Sequence, residues 1–262
     1  MRTRNLPWSA GTPLLALLAA CGGSGAAGAS DVSHDMPPIH VVQVAELLDE
    51  GQNAARQAYR QTLQACQAAG LQTTPLSSQD EAKLGTTRYE MWFAPDLEIV
   101  REETWDVAVD QPGVRCGFSL AYEGSQESTD ASRTEIVDLA TGRADGSQTP
   151  EGALERMPAD PADLEPPEGV AGPRQRQVAG QPCNEWVSEG QGNRQCVWSG
   201  GAAWGFSPGA DNADYRPSRS LIVLEQAPIG GSGLRLATEQ MTVGEQFTRP
   251  RLPRPASRDA AP

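Results

Sequence analysis

The side chains able to do chemistry in this chain are five cysteines, two histidines and a surplus of carboxylates. His34 and His40 both precede or open the first stretch of regular apolar spacing. A Ser-His-Asp triad, a Cys-His pair or an HExxH zinc site would have to borrow its imidazole from there, so these chemistries are set aside. Cys66, Cys116, Cys183 and Cys196 form an even set with no close CxxC pair, which points to two disulfides rather than a zinc site. Sequence alone permits three pairings. The strand-like runs Cys183-Asn184-Glu185-Trp186-Val187 and Arg194-Gln195-Cys196-Val197-Trp198 flank the turn-rich Glu189-Gly190-Gln191-Gly192-Asn193, which favours Cys183 with Cys196 and leaves Cys66 for Cys116. Carboxylates such as Glu102, Glu103 and Asp106 could act as a hydrolytic pair, but an acidic chain offers many chance pairs and a solvated face is the better reading. Asp211-Asn212-Ala213-Asp214 lacks the spacing and the closing Glu of a calcium loop and reads as a turn. No GxxxxGK[ST] or GxGxxG run signals a nucleotide site. No catalytic residue, metal ligand or cofactor is assigned.

The remaining candidates are aromatic. Trp186, Trp198 and Trp204, with Phe206, crowd on and just after the cysteine hairpin in a chain that is only 5% aromatic. Flat rings bind sugar faces and partner side chains, so the three tryptophans are candidate binding residues. The competing reading, preferred on residue type, packs them on the disulfide as core.

The elements that must position these residues divide into one helical and two strand-rich stretches. Between Val41 and Gly70, Val44, Leu48, Ala55, Tyr59, Leu63 and Cys66 recur at helical spacing, with Gly51 as a point where one helix becomes two. Tyr89–Phe93 and Glu98–Trp105 read as an antiparallel pair about the turn Ala94–Leu97, followed by strands at Val114–Tyr122 and Thr134–Leu139. The second cluster runs from the cysteine hairpin through Trp204–Phe206, Ser220–Glu225 and Leu234–Val243. The expected class is α+β: an N-terminal helix, or two, packed on a curved antiparallel β-sheet with two disulfides. Between the clusters, residues 149–172 are dense in proline and acids and read as a disordered loop. One α+β domain over 39–248 is preferred to two, because the second cluster has no helix of its own to cover a face. Residues 249–262 form a basic, proline-rich disordered tail.

The N-terminus sets the compartment. Arg2 and Arg4 precede the apolar Leu14-Leu15-Ala16-Leu17-Leu18 and then small residues, the three regions of an export signal (1–20). The stretch is too short for a spanning helix. Its end, Leu18-Ala19-Ala20-Cys21, resembles the lipobox of bacterial lipoproteins. The resemblance implies that Cys21 receives a diacylglyceryl thioether, that cleavage falls before it, and that its new amine is acylated; two or three chains make a durable anchor. Gly22 after the cysteine resembles the outer-membrane sorting pattern. Residues 21–38 then form a lipidated flexible tether spanning about 20–25 Å. Loss of the signal removes two basic residues and no acid from a chain already at a formal charge of −13. Nucleic acid is excluded as a partner.

A wider resemblance rests on the order of helix, antiparallel strands, the Gly180-Gln181-Pro182-Cys183 lead into a hairpin, paired strands and a closing Gln246-Phe247-Thr248-Arg249-Pro250. This order is similar to the curved half-barrel of periplasmic lipoprotein carriers and related lipoproteins. It implies a sheet wrapped around a helix and, in the carriers, an apolar cavity for acyl chains. The expectation is an outer-membrane lipoprotein of non-catalytic type, a structural or protein-interaction module facing the periplasm or the surface. A glycan- or acyl-chain-binding module and a carboxylate-dependent hydrolase are the alternatives.

Overall fold

The computed structural model describes residues 31–110, 115–210 and 217–252. The expected signal peptide, Cys21, the Asp211–Asp214 turn and residues 253–262 of the tail lie outside them. After a 3-10 turn at Ser33–Asp35 the chain forms β1 (Ile39–Asp49), β2 (Gln52–Asn53), α1 (Ala54–Ala68), β3 (Thr73–Thr74) and α2 (Ser78–Lys83). It continues through β4 (Thr86–Ala94), β5 (Leu97–Asp110), β6 (Cys116–Asp130), β7 (Arg133–Asp138) and β8 (Ala144–Gln148). Past a second 3-10 turn at Pro161–Leu164 come β9 (Val170–Val178), β10 (Gln181–Ser188) and β11 (Asn193–Trp198), then a turn at Ala202–Trp204, β12 (Val223–Pro228) and β13 (Gly233–Val243).

These strands join one 13-stranded sheet in the order β8-β7-β6-β5-β4-β1-β13-β12-β11-β10-β9, with β2 and β3 attached to β1 and β6. Every ladder along that path is antiparallel. From the central β1 the chain meanders out through β4–β8 to one edge. It crosses to the other edge through the acidic, proline-rich segment that starts at Thr149, and meanders back from β9 to β13, which pairs with β1. Val170–Gly172, at the end of that segment, already belong to β9.

With 49% strand and two helices among the described residues, the fold is mainly antiparallel β, which corrects the α+β expectation. Residues 41–49 are strand, and a single longer helix, α1, comes after them. The misreading has a physical cause. β1 is central and covered on both faces, so Val41, Val42 and Gln43 are consecutive buried residues, and Ala45 and Glu46 follow as a second buried pair. Alternation is lost, and Val44 and Leu48 land at helical spacing. Gly51, at φ +79°, then supplies the left-handed turn. Asn53 caps α1 by accepting a hydrogen bond from the Arg56 N–H at 2.9 Å. Trp204, expected within a strand-rich run, sits in a 3-10 turn.

Both expected disulfides are present, Cys66–Cys116 and Cys183–Cys196. The first ties α1 to β6, where Tyr59 packs edge-on to Phe118 (5.1 Å) and its hydroxyl oxygen accepts from the Leu76 N–H (2.9 Å). The second lies in the largest core, with Ile39, Phe93, Trp198, Phe206 and Leu224. Phe206 meets both Phe93 (5.3 Å) and Trp198 (5.2 Å), so the connection between β11 and β12 folds over the sheet and joins its two sides. Gly201 permits this: a Cβ there would fall 2.3 Å from the Trp198 ring.

Candidate functional site

Alternate residues of a strand face opposite sides, and residues paired across an antiparallel ladder share a side. The registers Glu98↔Thr129, Val100↔Glu127, Glu102↔Ser125, Thr104↔Glu123 and Asp106↔Ala121 therefore define one face of β5–β6. Ser125↔Asp138 and Ile136↔Asp145 extend it over β7 and β8. Glu102, Asp106, Glu123, Glu127, Asp138 and Asp145 are all exposed on it. No Lys or Arg occupies a position on this face of β5–β8. The opposite face is covered at one end by α1, against Phe118, Val107 and Leu120.

Two adjoining clefts run along the acidic face. One, of ≈ 340 Å³, is lined by Glu98, Val100, Glu102, Glu127, Ser218 and Arg219 among others. The other, of ≈ 400 Å³, shares Glu102 and Ser125 with it and adds Glu123 and Asp138.

At the head of the groove Glu98 is 5% exposed. Its Oε2 faces Arg219 Nε at 3.4 Å and Arg156 Nη2 at 3.5 Å. Both guanidinium groups are tied down elsewhere. Arg219 donates to the Ala153 carbonyl (2.7 Å) and to Thr129 Oγ1 (2.8 Å). Arg156 donates to the Arg219 carbonyl and lies 4.4 Å from the Phe206 ring centroid. Glu98 thus clamps the crossover segment, the 217–220 strap and β5 together. Burial pushes its carboxyl above the usual range, against the pull of the two arginines, with Glu127 adding to the rise. Its second oxygen, Oε1, has no hydrogen-bond partner.

The residues singled out from sequence are distributed otherwise. Glu102 and Asp106 share the acidic face, whereas Glu103 is on the other side, accepting from the Tyr122 hydroxyl at 3.1 Å. Trp186 and Trp198 are each 1% exposed, and the Trp186 indole N–H donates to the Pro208 carbonyl (3.2 Å). They are core; Trp204 is half-buried beside Trp198. His40 lies in β1 rather than ahead of a helix, stacked on Trp92 (5.2 Å) and 2.9 Å from Glu90 Oε1. Burial alone would raise the Glu90 carboxyl, but His40 and Arg88 together hold it below its usual range. His34 is exposed in the first 3-10 turn.

From Asp31 onward the stretch expected as tether is seated on the crossover: the Val32 N–H donates to the Arg156 carbonyl (2.7 Å) and the Arg156 N–H to Asp31 Oδ1 (3.0 Å). The Arg156 amide, with the amide and hydroxyl of Ser33, holds the Asp31 carboxyl down at about 2. Sequence reasoning misses Glu98, Arg156 and Arg219, although the alternation of Glu98, Val100, Glu102 and Thr104 is a signal that could find the first of them. Among the described residues no group of three or more His, Cys, Asp or Glu is placed to hold a metal ion, and no helix is long and apolar enough to cross a membrane. Set against known proteins, the chain matches no family model and no curated protein.

Proposed function

We propose that the chain is a lipid-anchored interaction module of the bacterial outer membrane, non-catalytic, held through Cys21 and working through the open face of β5–β8. The observation that carries this reading is that face itself: six exposed acids, no Lys or Arg from the strands that form it, and two adjoining clefts with Arg219 only at the head of one, on a sheet braced by a disulfide on each side of β1. A face left merely to solvent usually mixes both signs of charge. The half-barrel resemblance supports an envelope role, but acyl cargo fits poorly, since an alkyl chain laid on Glu102, Glu123 and Glu127 would strip water from carboxylates. Glycan binding through the tryptophans loses its exposed rings with Trp186 and Trp198 in the core.

One observation favours a second reading, the carboxylate hydrolase: a buried acid, Glu98, with a raised pKa shares a cleft with Glu102 and Glu127. Turnover of an oligosaccharide panel that disappears in Glu127→Gln would promote it over the module.

The test of the main reading is made in cells. The Cys21→Ala protein should fractionate as soluble, and a photo-crosslinking residue at Ser125 should give a protein adduct of defined mass. A Cys21→Ala protein still in the membrane fraction would overturn the anchor. Adducts from Glu189 but not Ser125 would move the working surface to the hairpin.

A further inference from the structure

The acids on the β5–β8 face are not scattered. Along the β5–β6 ladder they alternate between the two strands: Glu98, then Glu127 opposite Val100, then Glu102, then Glu123 opposite Thr104, then Asp106. Each step advances two residues, about 6.8 Å, which is the repeat of side chains on one face of an extended chain. We propose that this zigzag is the binding groove for an extended segment of another polypeptide carrying Lys or Arg at alternate positions. The inference rests on the interaction-module reading and names its partner.

Four observations carry it. The first is charge complementarity, since among the described residues no Lys or Arg lines the groove along Glu127, Glu102, Glu123 and Asp106, and Arg219 stands at its head. The second is independent of charge count. Glu98 is almost fully buried, lines the cleft, and leaves Oε1, itself shielded from solvent, without a partner, so a turn of the carboxyl toward the cleft would offer an incoming N–H donor an unsatisfied acceptor. The third is length: the stretch from Glu98 to Thr104 that both clefts occupy is about 20 Å, room for six or so extended residues. The fourth is texture. Val100 and the 51%-exposed Ile136 lie between the acids, giving an alternating chain somewhere to place its intervening side chains.

The test uses the folded protein without its signal and with Cys21 replaced by Ala. Its probe is a fluorescein-labelled peptide, Arg-Thr-Arg-Thr-Arg-Thr-Arg, monitored by anisotropy at low salt, with a block peptide of the same composition and free spermidine as competitors. Glu102→Gln/Glu127→Gln should weaken binding about five- to tenfold, as expected for two partly exposed ion pairs. Glu189→Gln/Glu239→Gln removes the same charge from exposed sites off this face and should change it less than about twofold. The alternating peptide should bind more tightly than the block peptide. Equal losses in the two double variants would overturn the groove in favour of diffuse attraction, and spermidine or the block peptide binding as well as the probe would overturn the polypeptide assignment. Failure here with a protein adduct still formed at Ser125 removes the cationic partner and leaves the module standing; failure of both removes both.

Discussion

On the β9–β13 side of β1 the described parts of the β11–β12 connection, residues 199–210 and 217–222, close over the sheet and bury Trp186, Trp198 and Phe206. On the β5–β8 side no described residue covers the corresponding expanse, and its strands expose Glu102, Glu123 and Glu127. The boundary between the two is the Glu98–Arg156–Arg219 clamp, where the crossover segment and the 217–220 strap meet β5. One sheet thus carries a core and a surface side by side. Antiparallel ladders do not decide what covers them; the chain's crossings do, and here both land on one side of the clamp.

The largest contrast should come from trimming one apolar side chain on each side. Trp198→Ala should destabilise by about 3–5 kcal/mol through lost burial and a residual cavity. Ile136→Ser, on the open face, should change stability by less than about 0.5 kcal/mol. Urea midpoints at constant m-value compare them, and similar losses would mean that the open face is covered in solution. Each side of β1 also has its own staple. In the chain-entropy argument, Cys66→Ser/Cys116→Ser, with a sequence separation of 50, should cost about 4 kcal/mol, and Cys183→Ser/Cys196→Ser, with a separation of 13, about 3 kcal/mol. Melting of the two double variants checks the order.

The clamp comes next in size. Arg156→Met leaves Glu98 buried with only Arg219 beside it and should cost about 3 kcal/mol. Glu98 itself gives a pH signature. Its carboxyl is raised in the folded protein, so the folded state holds its proton more tightly than the unfolded state does. Above the unfolded value near 4.5, stability therefore falls as pH rises until the folded pKa is passed. Glu98→Gln should remove that decline. Parallel slopes for the two proteins between pH 4.5 and 7 would mean that Arg156 and Arg219 win over burial.

Legibility in the sequence divides along the same boundary. Both disulfides, the β4–β5 pair, β7 and the β10–β11 hairpin are legible, because period-two apolar runs and turn residues are local signals. β1 is not, because burial on both faces erases the alternation. β8, Ala144-Asp145-Gly146-Ser147-Gln148, has no β-branched or aromatic residue and is fully exposed, so only its pairing with β7 makes it a strand. β9 carries Pro173, which fits an edge. The acidic face is visible as composition and invisible as a surface: Glu98, Glu102, Glu123 and Asp138 become neighbours only through the registers of β5, β6 and β7. Arg156 is a lone base in an acidic segment, and nothing local says that it turns inward.

The smallest effect tests the open face most directly. Glu102, Glu123 and Glu127 are like charges on adjoining strands with no base between them, so they repel in the folded state and are further apart when the chain unfolds. Replacing Glu102 and Glu127 by Gln should leave stability unchanged or raise it by up to about 0.5 kcal/mol, with the gain shrinking as salt screens the repulsion. A covered or internally paired face predicts the opposite, because each carboxylate would then lose a partner. A loss above about 1 kcal/mol, insensitive to salt, would show that these acids serve the fold. A small salt-dependent gain would mean that the protein keeps them at a cost to its own stability, which is what a surface retained for binding requires.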